Sequence, residues 1–326
     1  MADFSAYPQS AQYYFNYLIT VNGKSELTVS GYALDLRMFF RFLKLHRNIV
    51  SKNTDFDDIR IDDIDIDFLK KVTVNEAYAF LAYCTTVRKN NATSRARKVV
   101  AIKRFYRFLA LNKQFIDENP LADLESPRIK KSLPKYLTLD QSLDLLSCVD
   151  GNFRERDYCI LTLFLNCGLR LSELVGLNLT DIRNDSTIRV LGKGNKERII
   201  YLNNACTAAL NRYLRVRPAD GVADRDAVFI SRNKRRISKR AVQDIVDKFL
   251  KKAGLDGQGY SVHKLRHTAA TLMYQHGDVD VRLLKEILGH ESLSTTEIYT
   301  HVVNSQLQKA LDSNPLNDLS PSDDSI

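Results

Sequence analysis

Three prolines, Pro120, Pro127 and Pro134, punctuate residues 119–134 together with the charges Arg128, Lys130 and Lys131. Proline removes a backbone donor and blocks helix continuation, while the charges favour water, so the segment reads as an exposed linker. It divides the 326-residue chain into two parts, each long enough to bury its own core. The expected boundaries are a helical domain over 1–118, the linker over 119–134, a second domain over 135–312 and a flexible tail over 313–326. That tail is rich in Ser, Asp, Asn and Pro.

Hydrophobic spacing predicts helices throughout the first part. One covers 10–21, and a longer one covers 28–46, where Val29, Tyr32, Leu36, Phe39, Phe40 and Leu43 recur at three- and four-residue steps. A third covers 75–86 and a fourth 94–111. The fourth interleaves Val99, Ile102, Phe105, Tyr106 and Leu109 with Arg95, Arg97, Lys98, Lys103 and Arg104. One side of such a helix can pack while the other meets phosphates; a solvated basic face is the plainer alternative. Residues 55–67 alternate aspartates with isoleucines. Without EF-hand spacing or a turn glycine, they read as an acidic connecting loop rather than a metal site.

Beyond the linker, Thr138 and Gln141 suit a capping box that opens a helix. Residues 166–174 form a helical segment broken at Gly168, carrying Arg170 and Glu173. Strands over 187–191 and 198–202 flank a glycine-rich turn, making a hairpin with Lys193 at its tip. His263, Arg266 and His267 open a further helical run, and His290 precedes Tyr299 by nine residues. A basic run with Arg232, Lys234, Arg235, Arg236, Lys239 and Arg240 leads into a helix over 239–253. The fold class is therefore mainly α with a small β-sheet in the second domain.

Composition narrows the function. A net charge of +9 favours a polyanionic partner. Five cysteines lacking any C-x-x-C pair suggest reduced core thiols rather than zinc ligands. No apolar run reaches membrane-spanning length, and the first ten residues lack a signal-peptide layout, so a cytoplasmic protein is expected. Neither a P-loop nor a carboxylate cluster for a two-metal nuclease stands in the second half.

Taken singly, each motif has an ordinary structural explanation; their order along the chain is what specifies them. The set resembles the catalytic domain of the tyrosine recombinase (phage integrase) family, and the whole chain most resembles its bacterial Xer branch. The resemblance covers about 10–310 and is stronger in the second domain. It implies a two-domain, C-shaped DNA clamp with Tyr299 as nucleophile. Arg170, Lys193, His263, Arg266 and His290 complete the catalytic set, with Glu173 supporting Arg170 or forming an ordinary surface pair. His263 either takes the phenolic proton or bonds the phosphate.

The resemblance further implies that DNA strands are cleaved and rejoined through a 3′-phosphotyrosyl link and a Holliday junction, with no cofactor, metal or ATP. Implied partners are double-stranded DNA recombination sites and a homotetramer, or a heterotetramer with a paralogous recombinase. A septal DNA translocase belongs to the chromosome-dimer-resolving role. Residues 305–311 would then dock on a neighbouring subunit or pack on their own domain. The competing functions are a mobile-element integrase or excisionase, a type IB topoisomerase that relaxes DNA alone, and a catalytically idle DNA-binding protein.

Overall fold

A computed structural model describes residues 3–51, 53–111, 115–129, 135–192, 197–276 and 279–289. Lys193, His290, Tyr299, residues 130–134 and 305–311, and the tail over 313–326 lie outside the described residues. The chain forms two compact units, Met1–Lys131 and Ser132–Ile326. Among the described residues it is mainly helical, with one two-stranded antiparallel sheet, as the hydrophobic patterning implied.

In the first unit the helices are α1 (Gln9–Thr20), α2 (Glu26–His46), α3 (Ile66–Lys70), α4 (Val74–Thr86) and α5 (Ala92–Leu111). Side chains three and four apart on α2 (Val29, Ala33, Leu36, Phe40 and Leu43) are all buried, so one stripe of the helix supplies the core. Phe39, Phe80, Phe105 and Tyr106 join them with essentially no exposure. Thr73 and Glu76 cap α4 reciprocally, which satisfies donors the first turn would otherwise leave unpaired.

The acidic stretch is more structured than a plain loop. It holds a 3-10 turn at Phe56–Asp58 and ends in α3, and Ile59, Ile61 and Ile64 are buried. Two of its aspartates reach basic residues of α2, Asp57 pairing with Arg41 and Asp63 with Lys44, while Asp62 pairs with Arg60 and Asp65 caps α3. Alternation thus sends isoleucines inward and these carboxylates toward cations or a helix cap.

The second unit opens with α6 (Leu139–Ser147), whose Thr138–Gln141 capping box is formed in both directions. The helix α7 (Arg154–Cys167) follows and is buried along nearly its whole length. It lies at the centre of the unit, packed on α6, α9 (Asn204–Val216), α10 (Lys239–Lys252) and α11 (Val262–His276). Gly168 ends α7 in the left-handed region at φ 59°, and the chain turns at once into α8 (Leu171–Gly176). Strands β1 (Thr187–Leu191) and β2 (Glu197–Tyr201) pair from Thr187↔Tyr201 to Leu191↔Glu197. The last described helix is α12 (Val281–Leu288), capped by Gly289 at φ 62° and packed on α11 through Ala270, Leu284 and Leu288. Among the described residues no helix is long and apolar enough to cross a membrane.

Candidate active site

Two glycine caps bring distant elements together. A Cβ on Gly168 would stand 2.8 Å from Leu288 Cδ2, so the end of α7 and the end of α12 approach as closely as glycine permits. Arg266, from the first turns of α11, spans this junction. Its Nη1 donates to the Gly168 carbonyl and its Nη2 to the Leu288 carbonyl at 2.5 Å. These bonds answer two carbonyls that helix ends leave unpaired, and they leave Arg266 only 4% exposed.

Arg170 caps α8 and is held at both ends. Its backbone N–H donates to Glu173 Oε2 at 2.7 Å, and its guanidinium donates to Glu173 Oε1 and to the Gly289 carbonyl, each at 2.7 Å. The Glu173 side chain is wholly buried and also accepts two bonds from Arg198 on β2. Burial by itself raises the Glu173 carboxyl. The hydrogen bonds from Arg198 and Arg170, with the charge of Arg198, outweigh burial and hold the group below its ordinary value.

Local spacing suggested the Arg170–Glu173 pair, but nothing local pointed to Arg198. It lies 25 residues beyond Glu173, and only the β1–β2 register brings it there.

His263 lies one turn before Arg266, and its Nε2 stands 3.1 Å from that of His267. It is exposed on one side, yet enough protein surrounds the ring for burial to be the first cause of a lowered pKa. The charges of Arg266, Lys264 and Arg170 act in the same direction. The imidazole is therefore biased toward its neutral, proton-accepting form.

Arg170, His263 and Arg266 line one open groove of about 650 Å³, together with Lys239 and Arg240 from the first turn of α10. Asp247 is the acidic residue in that lining. Such a wall of cations suits a phosphodiester, because guanidinium groups stay charged and grip paired oxygens.

The remaining basic residues divide. Lys98 is buried and pairs with Asp35 at 3.0 Å, Lys103 donates to the Ala122 and Leu124 carbonyls, and Arg236 is tied to Asp224, Asn178 and two backbone carbonyls. Their donors are engaged within the fold. Arg95 bonds the Asn90 carbonyl, Arg97 is half-exposed and pairs with Asp35, and Arg104 bonds Tyr32. Arg232, Lys234 and Arg235 are exposed on a tight turn closed by an Ile230↔Arg236 bridge, while Arg240 is exposed and paired with Asp244.

Comparison with known proteins decides the family. The phage integrase family model matches residues 135–306, and the N-terminal SAM-like domain of phage integrases matches residues 11–113. A tyrosine recombinase XerC from Caldanaerobacter subterraneus subsp. tengcongensis is 52% identical, over 95% of this chain and 88% of that one.

The chain belongs to the phage integrase family, the tyrosine recombinases.

The recombinase is a site-specific DNA recombinase of the Xer kind. It is also 36% identical to a tyrosine recombinase XerD from Proteus mirabilis, over 88% of this chain and 86% of that one. Among solved structures, XerH bound to its difH substrate before cleavage superposes with a TM-score of 0.66 at 25% identity, covering 88% of this chain and 79% of that one.

Proposed function

We propose that Tyr299 attacks a scissile phosphate held in the groove lined by Arg170, His263 and Arg266. The convergence of these three side chains, Arg170 from the start of α8 and His263 with Arg266 from the first turns of α11, is the observation that carries the reading. The phenolic oxygen bonds to phosphorus as the P–O5′ bond breaks, leaving a 3′-phosphotyrosyl link and a free 5′-hydroxyl. Negative charge grows on the non-bridging oxygens, and Arg170 and Arg266 neutralise it with His290. Loss of one such donor costs roughly 3–4 kcal/mol of barrier. His263 receives the phenolic proton and Lys193 protonates the leaving O5′. The new ester conserves the energy of the broken one, so attack by a 5′-hydroxyl of the partner duplex rejoins strands without ATP.

This chemistry runs on two paired DNA sites in a tetramer, alone or with a paralogous recombinase, through a Holliday junction. Residues 305–311 dock between protomers. The role is resolution of chromosome dimers in the cytoplasm, with a septal DNA translocase as the further partner. Similarity to both XerC and XerD proteins supports it. Lys239 and Arg240 on the groove, with Arg232, Lys234 and Arg235, supply backbone affinity in the second unit, and Arg95, Arg97 and Arg104 do so in the first.

Nicked suicide duplexes made from the organism's own DNA test the reading. The full chain is expected to give a DNA-linked band that vanishes in Tyr299→Phe, and sequencing the trapped DNA identifies the site. A band that persists in Tyr299→Phe, or no band from the unaltered chain, rejects the assignment. Relaxation of a supercoiled plasmid lacking that site would point to a topoisomerase instead.

A further inference from the structure

We propose that Arg198 is a positioning residue for strand cleavage, holding Arg170 in its phosphate-binding pose through Glu173. The proposal rests on the assignment of Arg170 to the scissile phosphate. Arg198 is absent from the groove lining, and its side chain is only 15% exposed against 32% for Arg170. Any effect on the phosphate must therefore pass through another residue.

The connection is short and made of directional bonds. Both Arg198 Nη atoms donate to Glu173, one to each carboxylate oxygen, which fixes the plane and position of that carboxylate. The same two oxygens receive the backbone N–H and the guanidinium of Arg170. Rotation of Glu173 would thus release Arg170 at both anchors. Arg170 has one further tether, the Gly289 carbonyl, and a Cβ on Gly289 would stand 3.0 Å from Arg198 Cδ. The Arg198 side chain therefore also backs the residue that accepts from Arg170.

Stability alone gives a poor account of this arrangement. Two guanidinium groups share one buried carboxylate, and Arg198 Nε is buried with no hydrogen-bond partner among the described residues. A packed apolar side chain would avoid the desolvation of that charge. What the arginine adds is a second positive charge behind Arg170 and a rigid fork that a flexible ammonium lacks. Arg198 also stands opposite Val190 in the β1–β2 register, so the strand that anchors the clamp is itself held by its pairing with β1.

The test is single-turnover cleavage by the full chain of suicide duplexes carrying the trapped site in three forms. One has the ordinary phosphodiester. A second has a methylphosphonate at the scissile position, which removes the charge that Arg170 meets. A third has a 5′-bridging sulfur, whose thiolate leaves without needing a proton.

Arg198→Lys is expected to cleave the ordinary duplex about a hundredfold more slowly than wild type, the scale of a small misplacement of a reacting group. On the methylphosphonate it should come within about threefold of wild type, since the misplaced charge is no longer required. On the sulfur substrate the full defect should remain. Arg198→Gln should show the same order of ratios, so the ratios decide rather than the absolute rates.

Unimpaired cleavage by Arg198→Lys overturns the proposal, as does a defect that persists on the methylphosphonate. Relief by the sulfur substrate alone also overturns it, by moving the role to proton donation. Variants inactive on all three substrates count against it as well, because they reveal a requirement for folding only. A wild-type chain that traps none of the three is a different failure, that of the site assignment itself.

Discussion

Substituting Gly168 by alanine should disturb stability and cleavage together. Glycine occupies this position for two separable reasons. Its φ of 59° lies in the left-handed region, which costs an L-residue roughly 1–2 kcal/mol. The added methyl would also lie 2.8 Å from Leu288 Cδ2, with Ala269 Cβ at 3.5 Å, in a junction where Leu288 is fully buried. Forcing one methyl into a packed core costs roughly 1–3 kcal/mol. Together the two give about 3 kcal/mol, which in a unit of this size lowers the melting temperature by about 6–12 °C.

Differential scanning calorimetry on the full chain measures that shift in the transition of the second unit. Cleavage should fall as well, because the carbonyls of Gly168 and Leu288 both accept from Arg266. A double-mutant cycle with Leu288→Ala separates the causes: removing the obstructing side chain should recover about 1–3 kcal/mol of coupling and leave the backbone cost behind. A melting temperature within about 2 °C of wild type, or zero coupling in the cycle, would refute this account of the junction.

Other perturbations follow from the same geometry. Glu173→Gln breaks a buried pair with two arginines, so a loss of about 3–5 kcal/mol is expected in calorimetry. Because the folded Glu173 pKa lies below its unfolded value of 4.5, this stabilisation is present above that pH and is lost as pH falls through the folded pKa. Melting curves of variant and wild type should therefore converge in acid and separate at neutrality; a constant gap would contradict the sign. His263 is held below its ordinary pKa of 6.5, so cleavage should persist as pH drops past that value and fail only below it. A decline beginning above it in a pH–rate profile would argue against the neutral imidazole. Lys98→Met should destabilise the first unit without altering the salt dependence of DNA binding. Lys239→Gln and Arg240→Gln should each reduce the slope of log affinity against log salt by about one. Filter-binding titrations across salt concentrations compare the three.

The difference between Lys98 and Lys239 shows where sequence reading stops. Periodicity located α2, α4 and α5, and the Thr138–Gln141 pair marked the start of α6, because spacing and capping are properties of a few consecutive residues. Gly168 was legible as a break for the same reason. Pairing of charge is not such a property. On α5 basic residues recur on nearly every turn, and which of them turns inward depends on Asp35, 63 residues earlier. A formal charge of +9 counts Lys98 and Arg236 equally with Lys239, although the first two are neutralised inside the fold and the last lines the groove.

Glu173 makes the same point from the acidic side. Its near partner Arg170 could be read from helical spacing, whereas Arg198 needed the strand register. The groove's field is thus set by which cations the fold leaves uncompensated. Arg170 and Arg198 share one carboxylate, so a surplus positive charge is built in behind the groove and cannot be screened away as a surface lysine's charge can. On that reasoning, raising the salt concentration should weaken DNA binding far more than it slows cleavage of DNA already bound.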